Sequence, residues 1–457
     1  MAATLKIDHA RYVITVDAGR RIIADGAILV EGQRITRVGK AAELADVRAD
    51  RVIDARRMVV TPGFVNGHMH ISYAHCVRGI FPDDVGSPLK TVFALQNAMT
   101  EEEEYHTTLL GLLELVKNGN VCFLDPGSTK FPDACLQAYQ DAGIRVVIGE
   151  CVIDRDSPLA LPRYPTAEAI ARTAAYVKKW DGRLDGRMRA WAMPFSAETC
   201  TTELLQAAKQ IADETGTGLT LHHNSGAQAR KDAQAQHGHT PTGYLESIGV
   251  LGGNVCLAHV LGIDDSEIDT IARTGTAVAM CPSTAAKGGR GVPEHGRMPE
   301  LLAKGVSVAL GCDSPNNSNY LDIVRAMNMA AVQYKDARQD MRLIPAESAI
   351  EMATRLGAQA LGVPEIGAIE AGKKADLVLF DTERPEWQAM FNPVNNLVYN
   401  ADGRSIHTVV IDGRVVVDAY RQSFVDESRL FAKVQELGEG LLARTKTAVP
   451  KGRWPVQ

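Results

Sequence analysis

Val59-Val-Thr-Pro-Gly-Phe-Val-Asn-Gly-His-Met-His70 is an apolar, β-type run that ends on two histidines. Seven further runs of the same kind recur between about residue 60 and residue 360: Val121–Leu124, Arg145–Ile148, Met188–Met193, Leu219–His222, Val255–His259, Ala277–Met280 and Val306–Leu310. Helical patterns separate several of them. Thr100-Glu-Glu-Glu has the form of a capping box opening a helix to Lys117, Thr201 caps a run to Glu214, and Asp264 to Arg273 is amphipathic. Eight strand–helix units over this length predict an α/β fold, a (β/α)8 TIM barrel, with its active site at the C-terminal ends of the strands. An open doubly wound sheet would want a glycine-rich phosphate turn after its first strand, and none is present.

The flanks differ from this central region. Tyr12–Val16, Gly26–Val30, Arg34–Val38 and Arg51–Asp54 are short alternating runs broken by turns, and the same character returns in Asp376–Phe380 and Thr408–Val417. Asp412-Gly413 between two β-branched runs is a hairpin signal. The chain therefore divides into residues 1–60 and 365–425, which together build a small composite β-sandwich, the barrel at 61–364, and a helix with a basic tail at 426–457.

With 457 residues, the chain is long enough for a large domain and a companion. Its 49 Lys+Arg against 55 Asp+Glu leave no basic footprint for nucleic acid, and no apolar stretch is long enough to span a membrane. Eight cysteines without a Cys-x-x-Cys pair read as buried reduced thiols, and the N-terminal residues lack a signal pattern, so a cytoplasmic protein with a small-molecule substrate is expected.

Polar residues fall at informative places. His68, His70, His222 and His259 each sit at the C-terminal end of a predicted strand, and Asp313 ends the last one. His68 and His70 are two apart, so on a strand both imidazoles project to one face and can reach a single cation. One His-x-His motif is weak evidence, and a lone strand-end histidine is more often a hydrogen-bonded core residue. Four such coincidences plus a carboxylate reverse that balance. Three imidazoles and a carboxylate suit one divalent ion, Zn²⁺ first, with Fe²⁺, Co²⁺ or Mn²⁺ possible. Such an ion lowers the pKa of bound water from about 15.7 toward about 7. Asp313 can then accept the water proton, and His259 can fix the nucleophile or polarise the electrophile.

Pro62-Gly-Phe-Val-Asn-Gly-His-Met-His70, Leu257-Ala-His259, Gly305–Asp313 and Gly367–Phe380 resemble the amidohydrolase superfamily, in its branch of triazine chlorohydrolases and cytosine, guanine and adenosylhomocysteine deaminases. The resemblance runs from about residue 10 to 420. It implies metal ligation by His68, His70, His222 and Asp313, contact of His259 with water or substrate, and a homo-oligomer. Strand four, Arg187–Phe195, has no lysine to bridge a second ion, so one metal is implied.

Strand five departs from the branch, whose ring deaminases and chlorohydrolases generally carry a glutamate three residues after the ligating histidine. Leu221-His-His-Asn-Ser225 puts Ser225 there. A hydroxyl cannot protonate a ring nitrogen as a carboxyl does, whereas attack on an acyl carbon needs mainly oxyanion stabilisation and protonation of the departing amine. The expected reaction is therefore hydrolysis of an amide-like C–N or thiocarbamate C–S bond, as in a urea or carbamate; within the branch the chain is similar to phenylurea and thiocarbamate hydrolases. The alternative is an aminohydrolase or chlorohydrolase acting on a pyrimidine, purine or triazine ring. Because His222 and His223 are adjacent, which of them faces the metal is left open. Loop residues His75, Arg78, Asn224 and Ser225 are the expected substrate contacts, with Asp125–Ser128 and Ser314–Asn317 as further pocket candidates; the alternative roles are a hydrogen-bonded loop residue for His75 and a salt bridge with Asp83 or Asp84 for Arg78. Glu101–Glu104 reads as a solvated helix start, and His237, His239 and His295 as surface or lid histidines.

Overall fold

The computed structural model describes residues 3–81, 89–291, 296–451 and 454. Asp83, Asp84 and His295 lie outside the described residues.

Eight parallel strand positions close into a barrel: Phe64–Asn66, Asn120–Asp125, Arg145–Ile148, Met188–Ala190 continued by Met193–Pro194, Leu219–Asn224, Val255–Leu261, Ala277–Met280 and Val308–Leu310. Strands one to four and five to eight form two hydrogen-bonded ladders. At the first seam Thr220 N donates to Ala192 O at 3.1 Å and His222 N to Phe195 O at 2.8 Å. At the second, Gly67 N donates to Leu310 O at 2.7 Å and Asp313 N to His68 O at 2.9 Å. Helices follow the expected signals: Thr100 caps Glu101–Lys117 with a full capping box, Thr201 caps Thr202–Thr215, and Asp264 caps Asp265–Thr274.

The stretch expected as a single strand, 59–66, is two. Met58–Pro62 pairs antiparallel with Leu377–Asp381 in the small sheet, while Phe64–Asn66 pairs with barrel strand two. Gly63 makes the turn between them, because a Cβ there would lie 2.3 Å from the Val121 side chain. The small sheet has nine strands drawn from both flanks, with Met58–Pro62 sitting between Leu377–Asp381 and Thr4–Ile14. The expected Asp412-Gly413 hairpin forms, Ile411 opposite Arg414, with φ of 53° and 77° at the two turn residues.

A buried ion cluster bolts this sheet to the barrel. Arg145, which begins barrel strand three, donates to Asp376 at 2.6 Å and to Asp412 at 2.6 Å, and Lys374 lies 3.2 Å from Asp412. All three of Arg145, Asp376 and Asp412 are at most 5% exposed.

Helix Glu427–Thr445 returns to the barrel, where Leu441 packs among Ala74, Val77, Leu95 and Met99. Arg444 forks onto Glu103 at 2.9 and 2.7 Å. Glu103 and Glu104 are therefore buried, not solvated as the acidic run suggested; the C-terminal helix covers one, and the barrel loops enclose the other.

Removing one partner of a buried pair leaves the rest uncompensated. Arg145→Met is expected to destabilise the protein by about 3–5 kcal/mol, read as a fall in the midpoint of denaturant unfolding.

Candidate active site

Closure between strands one and eight sets the site. A Cβ on Gly67 would sit 2.5 Å from that of Ala309, and one on Gly311 would sit 2.7 Å from His68 O. Both positions demand glycine through close approach, not through φ. Their closeness lets Asp313, at φ 58°, fold back beside the first strand. Asp313 Oδ1 lies 3.5 Å from His70 Nε2 and 3.9 Å from His68 Nε2, and accepts from Ser314 N at 2.6 Å.

The strand-five ambiguity resolves in favour of His222. Its Nδ1–H donates to Phe195 O at 3.1 Å, which fixes the tautomer and leaves Nε2 toward His68 and His70, with ring centroids at 5.0 and 5.6 Å. His223 faces the opposite way and bonds the Thr242 hydroxyl at 2.9 Å. On strand six Val260 forms a bulge, with φ of 73° at His259 and 50° at Val260, and the His259 ring reaches 4.9 Å from that of His68.

Ligand atoms of His68, His70 and His222 lie within 4.8 Å of one another, as do those of His68, His259 and Asp313. Among the described residues neither nitrogen of His68, nor Nδ1 of His70, has a hydrogen-bond partner. Buried imidazoles normally find one, so a cluster of lone pairs aimed at a common point fits a divalent cation. Burial holds His70 down to about 4 and His222 to about 3, and pushes His68 and His259 down as well. Burial raises Asp313, but His259 and His70 outweigh it and hold the carboxyl below the usual range. At neutral pH the donors are therefore uncharged imidazoles and an ionised carboxylate, the protonation states ligation requires.

A cavity of about 460 Å³ opens beside His70. Tyr73, Phe93, Tyr164, Tyr176, Trp180 and Phe195 contribute its aromatic lining, with Gln96, Ser128 and Cys151 among the polar groups. Among the described lining residues the one carboxylate is Glu150, which Arg172 Nε holds at 2.9 Å. These aromatic residues were not read from the sequence. Their signal was position: Tyr73 and Phe195 each follow a barrel strand by a few residues.

Of the expected pocket residues, the loop Asp125–Ser128 lines this cavity through Pro126, Gly127 and Ser128, while His75, Arg78, Asn224 and Ser225 do not. The Ser225 hydroxyl donates to Glu267 at 2.8 Å, inside a buried network with Thr242 N and Arg230, behind strand five. Asn224 is exposed and caps Gly226 N at 2.9 Å. Arg78 is bound to Glu114 at 2.5 Å, and His75 is buried 3.8 Å from the same carboxylate. Helix 101–117 passes beneath that loop and supplies the counter-charge, which is why Arg78 turns away from the substrate side. Asp125 and Asn316 serve as supports: Asp125 accepts from the Ser128 and Thr129 hydroxyls at 2.6 and 3.0 Å, and Asn316 donates to Tyr73 O. His237 stacks on Tyr244 at 3.7 Å.

A barrel with imidazoles and a carboxylate gathered at its strand ends, beside an aromatic cavity, has the arrangement of a metal-assisted hydrolase, and the family it matches gives the bond as carbon–nitrogen. The chain belongs to the amidohydrolase family, whose sequence profile matches residues 59–416. It is 33% identical over 446 residues, 96% of this chain and 99% of the relative, to a 5'-deoxyadenosine deaminase of Methanothermobacter thermautotrophicus. It is 32% identical to a 5-methylthioadenosine/S-adenosylhomocysteine deaminase of Moorella thermoacetica, covering 90% of this chain and 94% of that one. An adenosine deaminase from Xanthomonas campestris with bound zinc superposes with a TM-score of 0.88 at 26% identity, over 96% of this chain and 99% of that chain. A mutant atrazine chlorohydrolase from Arthrobacter aurescens, complexed with zinc and atraton, shares the fold at a TM-score of 0.86 and 23% identity, over 95% and 100% of the two chains.

His68→Ala and Asp313→Asn are expected to keep the far-ultraviolet circular dichroism of the parent while bound metal falls below about a tenth of an equivalent. Loss of the dichroism signal would instead make these side chains structural. A milder outcome is expected for Ser225→Ala: a loss of about 1–3 kcal/mol of stability as Glu267 loses a donor, with metal content unchanged.

Proposed function

We propose that the protein hydrolyses an amide-like C–N bond, as in a urea or carbamate, or a thiocarbamate C–S bond, of a neutral small molecule carrying an aryl or similarly flat apolar group. One observation carries this choice. Where ring deaminases of the branch place a carboxylate, Ser225 is present and its hydroxyl is committed to Glu267, while Glu150 in the cavity is committed to Arg172. With no carboxyl offered to a ring nitrogen among the described lining residues, acyl chemistry is the better match to the site.

His68, His70, His222 and Asp313 would hold one divalent ion, with zinc the first choice from the donor set and from the zinc in related structures. When bound, that ion supplies Lewis acidity that makes water nucleophilic at neutral pH and polarises a carbonyl. Phe195 O fixes the His222 tautomer through Nδ1. Asp313 accepts the proton of the attacking water on its carboxylate and delivers it to the departing nitrogen or sulfur. His259, close to both His68 and His222, orients the electrophilic group. The aromatic walls exclude water and seat the apolar portion of the substrate.

A second reading is deamination of an adenine-type or other heteroaromatic ring. The names of the relatives support it more strongly than they support urea or carbamate hydrolysis. In that case the ring nitrogen would take its proton from a group other than a strand-five carboxylate.

A panel decides between the two, assayed with protein of measured zinc content: an aryl dimethylurea, an S-alkyl thiocarbamate, a chlorotriazine and 5'-deoxyadenosine. Turnover of the urea or thiocarbamate is expected. Ammonia release from the nucleoside with no turnover of either acyl substrate would establish the second reading and overturn the first.

A further inference from the structure

We infer that the Tyr73 hydroxyl is the hydrogen-bond donor that grips an acceptor atom of the substrate beside the histidine cluster, an inference that rests on the cavity next to His70 being the substrate pocket. Tyr73 lies in the loop leaving barrel strand one and lines the cavity, yet is only 3% exposed. Its ring sits 4.7 Å from that of His70 and meets Phe93 edge-on at 4.6 Å, so it is held between the cluster and the cavity wall. Among the described residues its hydroxyl has no hydrogen-bond partner; the same is true of Tyr176, also in the lining, but of the two Tyr73 is the one whose ring contacts His70. A buried phenol normally finds one, and a donor left without a partner at a ligand cavity is available to a ligand.

The backbone that carries this side chain is held from two sides. Asn316 Nδ2 donates to Tyr73 O at 2.7 Å and to Ala74 O at 3.2 Å, while Gln96 Oε1 accepts from Ala74 N at 2.7 Å. Ala74 is thereby pinned at φ 48°, a left-handed conformation that alanine adopts only under constraint. Backbone strain of this kind gathers at binding sites, where surrounding contacts over-determine one residue's position. Here they fix the backbone from which the phenol projects, and the rings of His70 and Phe93 hold the phenol itself. Its ligand is a neutral group with an sp² acceptor, such as a carbonyl, attached to an aryl body that the aromatic walls can seat.

The test uses the zinc-loaded protein, its Tyr73→Phe variant and two probes of similar size, benzamide and ethylbenzene, with calorimetric Kd values. Phenylalanine keeps the ring contacts and removes only the donor. The expected result is about tenfold weaker benzamide binding in the variant, unchanged ethylbenzene binding, unchanged zinc content and a Tm no lower than that of the parent. Equal benzamide affinity in the two proteins, or no benzamide binding to the parent, would overturn the inference. A fall in zinc content or Tm would assign the hydroxyl to structure and overturn it as well. The proposed reaction fails separately: Tyr73-dependent benzamide binding in a protein that hydrolyses no acyl C–N or C–S bond sinks that reaction and leaves this inference standing. Unchanged kcat/KM of Tyr73→Phe toward an aryl urea does the reverse.

Discussion

Everything at the site depends on how closely the eighth barrel strand approaches the first. The hydrogen bonds from Gly67 N to Leu310 O and from Asp313 N to His68 O are backbone contacts, and the side-chain geometry follows from them. Two glycines without room for a Cβ set the separation, and the carboxylate then arrives within reach of two imidazoles from a strand far away in sequence. A barrel closed a little more loosely would keep its core and lose the convergence, because ligand geometry tolerates far less displacement than hydrophobic packing does.

A second layer holds what the closure places. Glu104, buried and with its carboxyl pushed up by that burial, accepts from Ser72 at 3.0 Å, Gln96 at 2.7 Å and Lys130 N at 2.9 Å. Gln96 in turn holds Ala74, and Asn316 reaches the same turn from the loop after strand eight. Loops after strands one and two are thus tied to Glu104 on helix Glu101–Lys117 and to Gln96 on helix Leu89–Ala98, and the loop after strand eight joins them through Asn316. The two faces of strand five are divided in the same spirit: His222 toward the cluster, His223 and Ser225 toward Glu267.

The barrel and the convergent histidines were legible because each leaves a local mark: a β-branched run, then a histidine at its end. The hairpin at Asp412-Gly413 and the caps at Thr100 and Thr201 were legible for the same reason. What escaped depends on distant pairings. The split at Gly63 is set by which strands lie on either side, and the sequence of 59–66 reads as continuous β-structure either way. Arg78 and Ser225 looked poised for substrate because their partners, Glu114 and Glu267, lie 36 and 42 positions away on helices. Glu103 and Glu104 read as solvated until a helix more than three hundred residues later, and the loop at residue 130, are placed over them. Helical periodicity reports which face is apolar, but not which neighbour will bury a charge.

The helix Glu427–Thr445 has a temporal consequence. Gly438 lies so close to the loop after barrel strand one that a Cβ would come within 2.4 Å of Cys76 O. During synthesis that loop leaves the ribosome early and waits, with Ala74, Val77, Leu95 and Met99 bare, until this helix emerges. The nascent barrel thus carries an uncovered apolar patch until its last helix is made, a surface of the kind a chaperone shields.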